Sequence, residues 1–139
     1  MKLELPDHKK EVFRMTMPIR WGDMDALGHV NNTVYFRYME ILRIEWMRSL
    51  GGPPRPEGLG TVVVNAFCNY HRSLEYPGDM LLRMYVSPPG KTSLESWATI
   101  GRVDDPGVVY ASGGVTTVWA DLAQGRAVPL PEWLLERLR

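Results

Sequence analysis

Three groups able to hold or move a proton fall close together in the run Asp23-Met24-Asp25-Ala26-Leu27-Gly28-His29-Val30-Asn31-Asn32. A carboxylate so placed can attack a carbonyl carbon or take a proton from water, and imidazole is the commonest general acid or base near neutral pH. The plain alternative for acids ahead of a helix is that they cap it or favour its dipole. Glu40 lies farther on, at helical spacing from Arg37 and Arg43, where an ordinary ion pair would account for it. Cys68 stands in strand-like sequence without a nucleophile motif and reads as an inert, buried thiol. His8, His29 and His71 lack metal-ligand spacing, so no metal site is expected. The glycines form neither a dinucleotide fingerprint nor a P-loop.

The elements that must position these residues follow from periodicity. Val12 to Arg20 alternates imperfectly and reads as a strand. Trp21 to Asn32, with two glycines, two aspartates and two asparagines, reads as a loop delivering the chain to a helix. Asn31 or Asn32 is the expected N-cap, and the helix runs to Leu50, where Gly51-Gly52-Pro53-Pro54 stops it. On that helix Tyr35, Tyr38, Met39, Leu42, Trp46 and Leu50 share one face, while Val34, Phe36, Ile41, Ile44 and Met47 cover much of the rest. Leaving such side chains wet costs roughly 1.5–3 kcal/mol each, so cover on most sides is expected, as a curved sheet would supply.

After a loop from Gly51 to Gly60, strand-like segments follow near Thr61–Arg72, Met80–Ser87, Ser93–Arg102 and Val108–Trp119. The turns between them, Tyr76-Pro77-Gly78-Asp79, Pro88-Pro89-Gly90-Lys91 and Asp104-Asp105-Pro106-Gly107, are short enough for antiparallel neighbours. Pro131 to Leu138 adds a short terminal helix.

The 139 residues suit one domain, 1–139, able to bury a core without disulfides or metal. Sixteen basic and sixteen acidic side chains are mixed along the chain, which offers a nucleic acid no broad cationic face. One cysteine fits a reducing compartment, residues 1–11 lack the apolar core expected of a secretory signal, and no later apolar run is long enough to span a bilayer. A cytoplasmic location and no membrane partner are therefore expected.

The run from Ile19 through Asn32, followed by Tyr35 and Tyr38-Met39-Glu40, resembles the 4-hydroxybenzoyl-CoA thioesterase-like group of hotdog proteins, which includes bacterial acyl-CoA thioesterases. Weaker similarity continues through Tyr76-Pro77-Gly78-Asp79, Lys91-Thr92-Ser93 and Gly113-Gly114. The resemblance implies an α+β hotdog fold, a curved antiparallel sheet wrapped around one long central helix. It implies that Asp25 is the catalytic carboxylate, as nucleophile or as base for water, and that the Asn32 backbone N–H polarises the thioester oxygen. A helix start suits that role, since its N–H donors are unpaired and its partial charge is positive.

By the same resemblance Asp23 is structural, orienting the loop through backbone or Arg20, and His29 supports the loop or pocket, with a chemical role second. Glu40 is the second-choice carboxylate, because a related branch uses a helical acid. Lys91, Thr92 and Ser93 are expected to hold the nucleotide part of coenzyme A, with Arg83 and Arg72 as weaker candidates. Tyr35, Met39 and Phe67 are expected along the acyl group, between helix and sheet. Coenzyme A enters as part of the substrate, and no other cofactor is implied. An acyl-carrier-protein thioester presents the same arm and stays open as a partner. A homodimer or homotetramer is expected, with sites at the interface. Two other functions fit the fold: an acyl-thioester dehydratase or hydratase using His29 and Glu40, and a non-catalytic acyl-CoA-binding dimer.

Overall fold

The computed structural model describes residues 3–51 and 58–139, so most of the expected Gly51–Gly60 loop lies outside the described residues. The chain runs β1 (Lys10–Pro18), α1 (Val34–Ser49), β2 (Leu59–Tyr70), β3 (Asp79–Val86), β4 (Ser93–Arg102), β5 (Ala111–Asp121), β6 (Arg126–Ala127) and α2 (Glu132–Leu138). All strand pairings are antiparallel, in the order β1-β3-β4-β5-β2, with the short β6 on β5. This is the α+β hotdog architecture expected from the sequence.

Alternation decides which side of the sheet receives the helix. In β3 the buried residues are Met80, Leu82, Met84 and Val86, and in β4 Leu94, Ser96, Ala98 and Ile100 take the same side. Against them α1 lays Tyr35, Tyr38, Met39, Leu42 and Trp46, the stripe that helical periodicity marks out. The rest of the helix is less covered than its composition suggests. Phe36 is 40% and Ile44 53% exposed, because α1 packs mainly on β1 and β3 and leaves the β5 and β2 side open.

A close approach of helix and sheet comes at Gly113 of β5. A side chain there would run into the Phe67 carbonyl oxygen and would meet the Met39 sulfur at 2.8 Å. The next residue, Gly114, faces the other way, under the rings of Trp97 and Phe67. That outer face is crossed by the segment before β1: the Asn69 amide donates to the Leu3 carbonyl at 2.7 Å, and the Lys9 ammonium lies over the Tyr85 ring.

At the opposite corner Arg102 ties three segments. Its guanidinium donates to the Glu75 and Pro77 carbonyls, each at 2.8 Å, and to both oxygens of Asp104. The space it fills is that left by Gly78, where an added Cβ would overlap a guanidinium nitrogen.

Several boundaries differ from expectation: β1 runs from Lys10 to Pro18 rather than from Val12 to Arg20, and β2 from Leu59 to Tyr70 rather than from Thr61 to Arg72. The residue before α1 is Thr33, already helical in backbone angles and without a side-chain cap. Asn31 does the capping from two positions earlier: its Oδ1 accepts the Thr33 N–H at 2.9 Å, and its carbonyl accepts the Val34 N–H at 3.0 Å. The last long strand begins at Ala111 rather than Val108 and runs to Asp121, since the chain first passes through a turn bonded from Val108 to Asp105. The two-residue β6 is too short to carry a periodicity that would predict it.

Gly113→Ala should destabilise the protein by about 1–3 kcal/mol, the usual cost of overpacking, because the nearest obstacle is a backbone carbonyl that cannot rotate away. The shift of the urea midpoint measures this, and an unchanged midpoint would refute the close-packing argument.

Candidate active site

Between β1 and α1 the chain folds into a tight loop that binds mostly to itself. The Asp25 N–H donates to the His29 carbonyl at 3.0 Å, the Gly28 N–H to the Asp25 carbonyl at 3.1 Å, and the Asn31 N–H to the Asp23 carbonyl at 3.0 Å. Gly28 closes the turn with a φ of 87°, in the region that favours glycine. Two backbone–backbone bonds fix the loop to the body: Ile19 N–H to the Gly78 carbonyl and Val30 N–H to the Leu74 carbonyl, both 2.8 Å. Ile19 and Val30 are buried, so the loop rests on two apolar posts.

The Asp25 carboxylate is held from two sides. Oδ1 accepts the Leu27 N–H at 2.9 Å, the local turn bond that aspartate favours, and Oδ2 accepts the Asn31 amide at 3.2 Å. Both donors are neutral, so the group is positioned without a cation neutralising it. It lines a cavity of about 310 Å³ together with His29, Asn32, Tyr35, Tyr70 and Arg72.

At the edge of this cavity the helix begins. The Asn32 N–H donates to no described residue, and its carbonyl receives the Tyr70 hydroxyl at 2.8 Å. A helix start with an unengaged N–H beside a carboxylate offers the two components that acyl transfer needs, an electron-pair donor and a site for negative charge on oxygen. Burial pushes the Tyr70 phenol up to about 12, and burial also raises Tyr35. Both are therefore neutral hydroxyls at ordinary pH. Their rings meet edge to face at 5.0 Å and wall the cavity.

Asp23 does not share the site. Its Oδ2 accepts the hydroxyl of buried Tyr38 at 2.7 Å, so its partner is Tyr38 of α1 rather than Arg20. Burial first, then this bond to Asp23, keeps Tyr38 protonated far above its ordinary range.

Several residues read from the sequence lie elsewhere within the protomer. Glu40 is paired with Arg37 and lines a different cavity, beside Arg43, so His29 and Glu40 share no cavity in one protomer. Met39 packs under Gly113. Phe67, expected between helix and sheet, is on the outer face, because its partner Gly114 faces away from the helix. Arg83 also points outward, its nearest acid being Glu11 at 3.8 Å. Lys91, Thr92 and Ser93 form the turn into β4, where Thr92 and Lys91 carbonyls accept the Trp119 and Leu130 N–H groups, away from Asp25. Arg72, a weaker candidate from sequence, does line the Asp25 cavity, as do Tyr70 and Ser73. Strand register, which no local spacing reveals, brings that end of β2 beside the loop. Among the described residues no three His, Cys, Asp or Glu side chains gather as a metal site.

With fold and site in view, the chain belongs to the thioesterase-like superfamily, whose family model matches residues 19–138. The PA2801 protein of Pseudomonas aeruginosa, a proposed thioesterase, superposes with a TM-score of 0.88 at 31% identity, covering 94% of this chain and all of that one. A proposed acyl-CoA thioesterase from Xanthomonas campestris is 37% identical, with a TM-score of 0.75 over 81% of this chain and 95% of its own. A thioesterase from Thermus thermophilus, solved with coenzyme A and Zn, is 31% identical, with a TM-score of 0.77 over 91% and 90% of the two chains.

Tyr38→Phe leaves Asp23 short of a donor and should cost about 1–3 kcal/mol, read from the denaturant midpoint. Burial raises Cys68 to about 11 from an ordinary 9.0, so the native thiolate at pH 8 is about 100-fold scarcer than in the unfolded chain. Iodoacetamide should accordingly label native protein far more slowly than denatured protein, with the native rate rising about tenfold per pH unit until it levels off near 11, about two units above the denatured chain.

Proposed function

We propose that this chain hydrolyses acyl-CoA thioesters to the free acid and coenzyme A. The observation that carries the reading is the Asp25 carboxylate, held by two neutral donors in a cavity that is also lined by Asn32, whose N–H donates to no described residue. Attack on the thioester carbonyl develops negative charge on its oxygen, which the amino end of α1 is suited to stabilise. Asp25 supplies the electron pair, either by adding to the carbonyl carbon or by taking the proton from an attacking water. Collapse of the tetrahedral species expels the coenzyme A thiolate, which takes up a proton. In the first route water then cleaves the acyl-aspartyl anhydride. His29, in the same cavity, is the secondary candidate for delivering the leaving group's proton.

Arg72 is the cation nearest this chemistry among the cavity residues and suits a coenzyme A phosphate. An acyl-carrier-protein thioester would enter through the same pantetheine arm. No cofactor beyond the substrate's own coenzyme A is required, and a cytoplasmic setting suits such a substrate.

The proposal includes a homodimer. β2 is one edge strand of the sheet, opposite β1, and Val62, Val63 and Val64 on it are 42–56% exposed. A bare apolar edge is a template for another strand, and a second copy pairing there extends the sheet.

Free-thiol release from an acyl-CoA panel tests the activity, with an enoyl-CoA hydration assay alongside. Asp25→Ala should lower kcat by about 10²–10⁴-fold with the circular dichroism spectrum unchanged, whereas Asn32→Ala, which keeps the backbone N–H, should stay within about threefold of wild type. Thiol release undiminished in Asp25→Ala would reject the site. Hydration without thiol release would move the chain to the dehydratase class. Sedimentation of an active monomer would contradict the dimer.

A further inference from the structure

A second opening, of about 180 Å³, lies between α1 and the part of the sheet that the helix leaves uncovered. Ile44 and Met47 of α1 face Val63, Leu94 and Trp119 across it, and Arg43 is the cation in its wall. Arg43 is only partly exposed and takes part in no ion pair among the described residues. The one acid beside it, Glu40, is bonded to Arg37.

A guanidinium keeps its charge at any ordinary pH, and removing it from water is costly unless an anion or several acceptors replace the solvent. Burial indeed lowers Arg43 from its ordinary value, with Glu40 opposing. The wall thus holds a guanidinium with no carboxylate bonded to it, in a largely apolar slot whose acid, Glu40, is bonded to Arg37. A carboxylate matches the guanidinium fork with two parallel hydrogen bonds.

We propose that this slot receives the far end of the acyl group and that Arg43 binds a carboxylate there, making the substrates monothioesters of dicarboxylic acids. The proposal rests on the thioesterase and homodimer readings above. Within one protomer Arg43 lies nine residues beyond Val34, about 14 Å along the helix axis from the Asp25 end. Antiparallel edge pairing of β2 reverses the strand in the second copy. With the two-fold axis near Ala66, a register that pairs residues 62–70 of the two copies, Tyr70 in the wall of the Asp25 cavity lies opposite the second copy's Val62, beside Thr61 and Val63 of the slot. On that register the slot of one copy adjoins the Asp25 cavity of the other. At about 30 Å³ for each water-sized group the slot holds roughly six, the size of three methylenes and a carboxylate.

The test compares kcat/KM for glutaryl-, adipoyl- and suberoyl-CoA with neutral isosteres in which an isopropyl group replaces the carboxylate, for wild type, Arg43→Met and Arg43→Lys. Wild type should prefer one diacid over its isostere by at least about tenfold. Arg43→Met should erase that preference, leaving the neutral thioester within about threefold of wild type, and Arg43→Lys should restore part of it. Equal losses on both thioesters, or no preference in wild type, would overturn the assignment. Mixing Asp25→Asn with Arg43→Met subunits should recover about a quarter of wild-type diacid activity, because half the dimers are mixed and each holds one intact site. No recovery would refute the shared arrangement. If no thioester of either kind is cleaved, the hydrolase reading fails and the slot is tested alone by glutarate and adipate quenching of tryptophan fluorescence. Quenching lost in Arg43→Met would support the carboxylate site, and no quenching of wild type would overturn it.

Discussion

Asn31 engages both its backbone groups and both ends of its side-chain amide, and the candidate site is organised around it. Its N–H closes the loop onto Asp23, its amide nitrogen holds Asp25, its amide oxygen takes the Thr33 N–H and hydroxyl, and its carbonyl receives the N–H of the first helical residue. Carboxylate and helix start are thereby set relative to one another by a single side chain. The bond from Tyr38 to Asp23 repeats the tie one helical turn farther along α1. A loop built this way needs little from the distant sheet beyond the buried seats of Ile19 and Val30.

That self-sufficiency explains what could be read before the fold was seen. Asp25 and Asn32 stand in one contiguous run whose resemblance to the family singles them out, and the buried stripe of α1 is local enough for periodicity to identify. Phe67, Arg83 and Lys91 depend on long-range register. Alternation says that neighbouring residues of a strand face opposite ways but not which side meets the helix. In β2 even burial contrast is missing, since residues 61–66 are all exposed and only Phe67 is covered, from the outer side. Tyr70 and Arg72 enter the cavity for the same non-local reason. The capping asparagine was legible as a residue type, yet its position relative to the first helical turn required the backbone angles.

The uncovered side of α1 and the free edge of β2 are two aspects of one shortage of cover. Phe36, Ile44 and the three valines at 62–64 remain substantially exposed because the sheet ends one strand after β5 and the helix leans toward β1. A bulge at Val64 interrupts the pairing of this strand with β5 in the same stretch. Bulges re-aim side chains and increase local twist, so this edge presents a shape that a regular strand would not.

Arg102 and Gly78 carry a different implication, for how the sequence can change. The guanidinium occupies the volume that any other residue at 78 would claim, and it supplies the donors for two turn carbonyls that have no other described partner there. A lysine at 102 would keep the charge but offer no planar fork, and would desert at least one of those carbonyls. The two positions, far apart in the chain, are free to drift only in concert, and a substitution accepted at one is conditional on what already stands at the other.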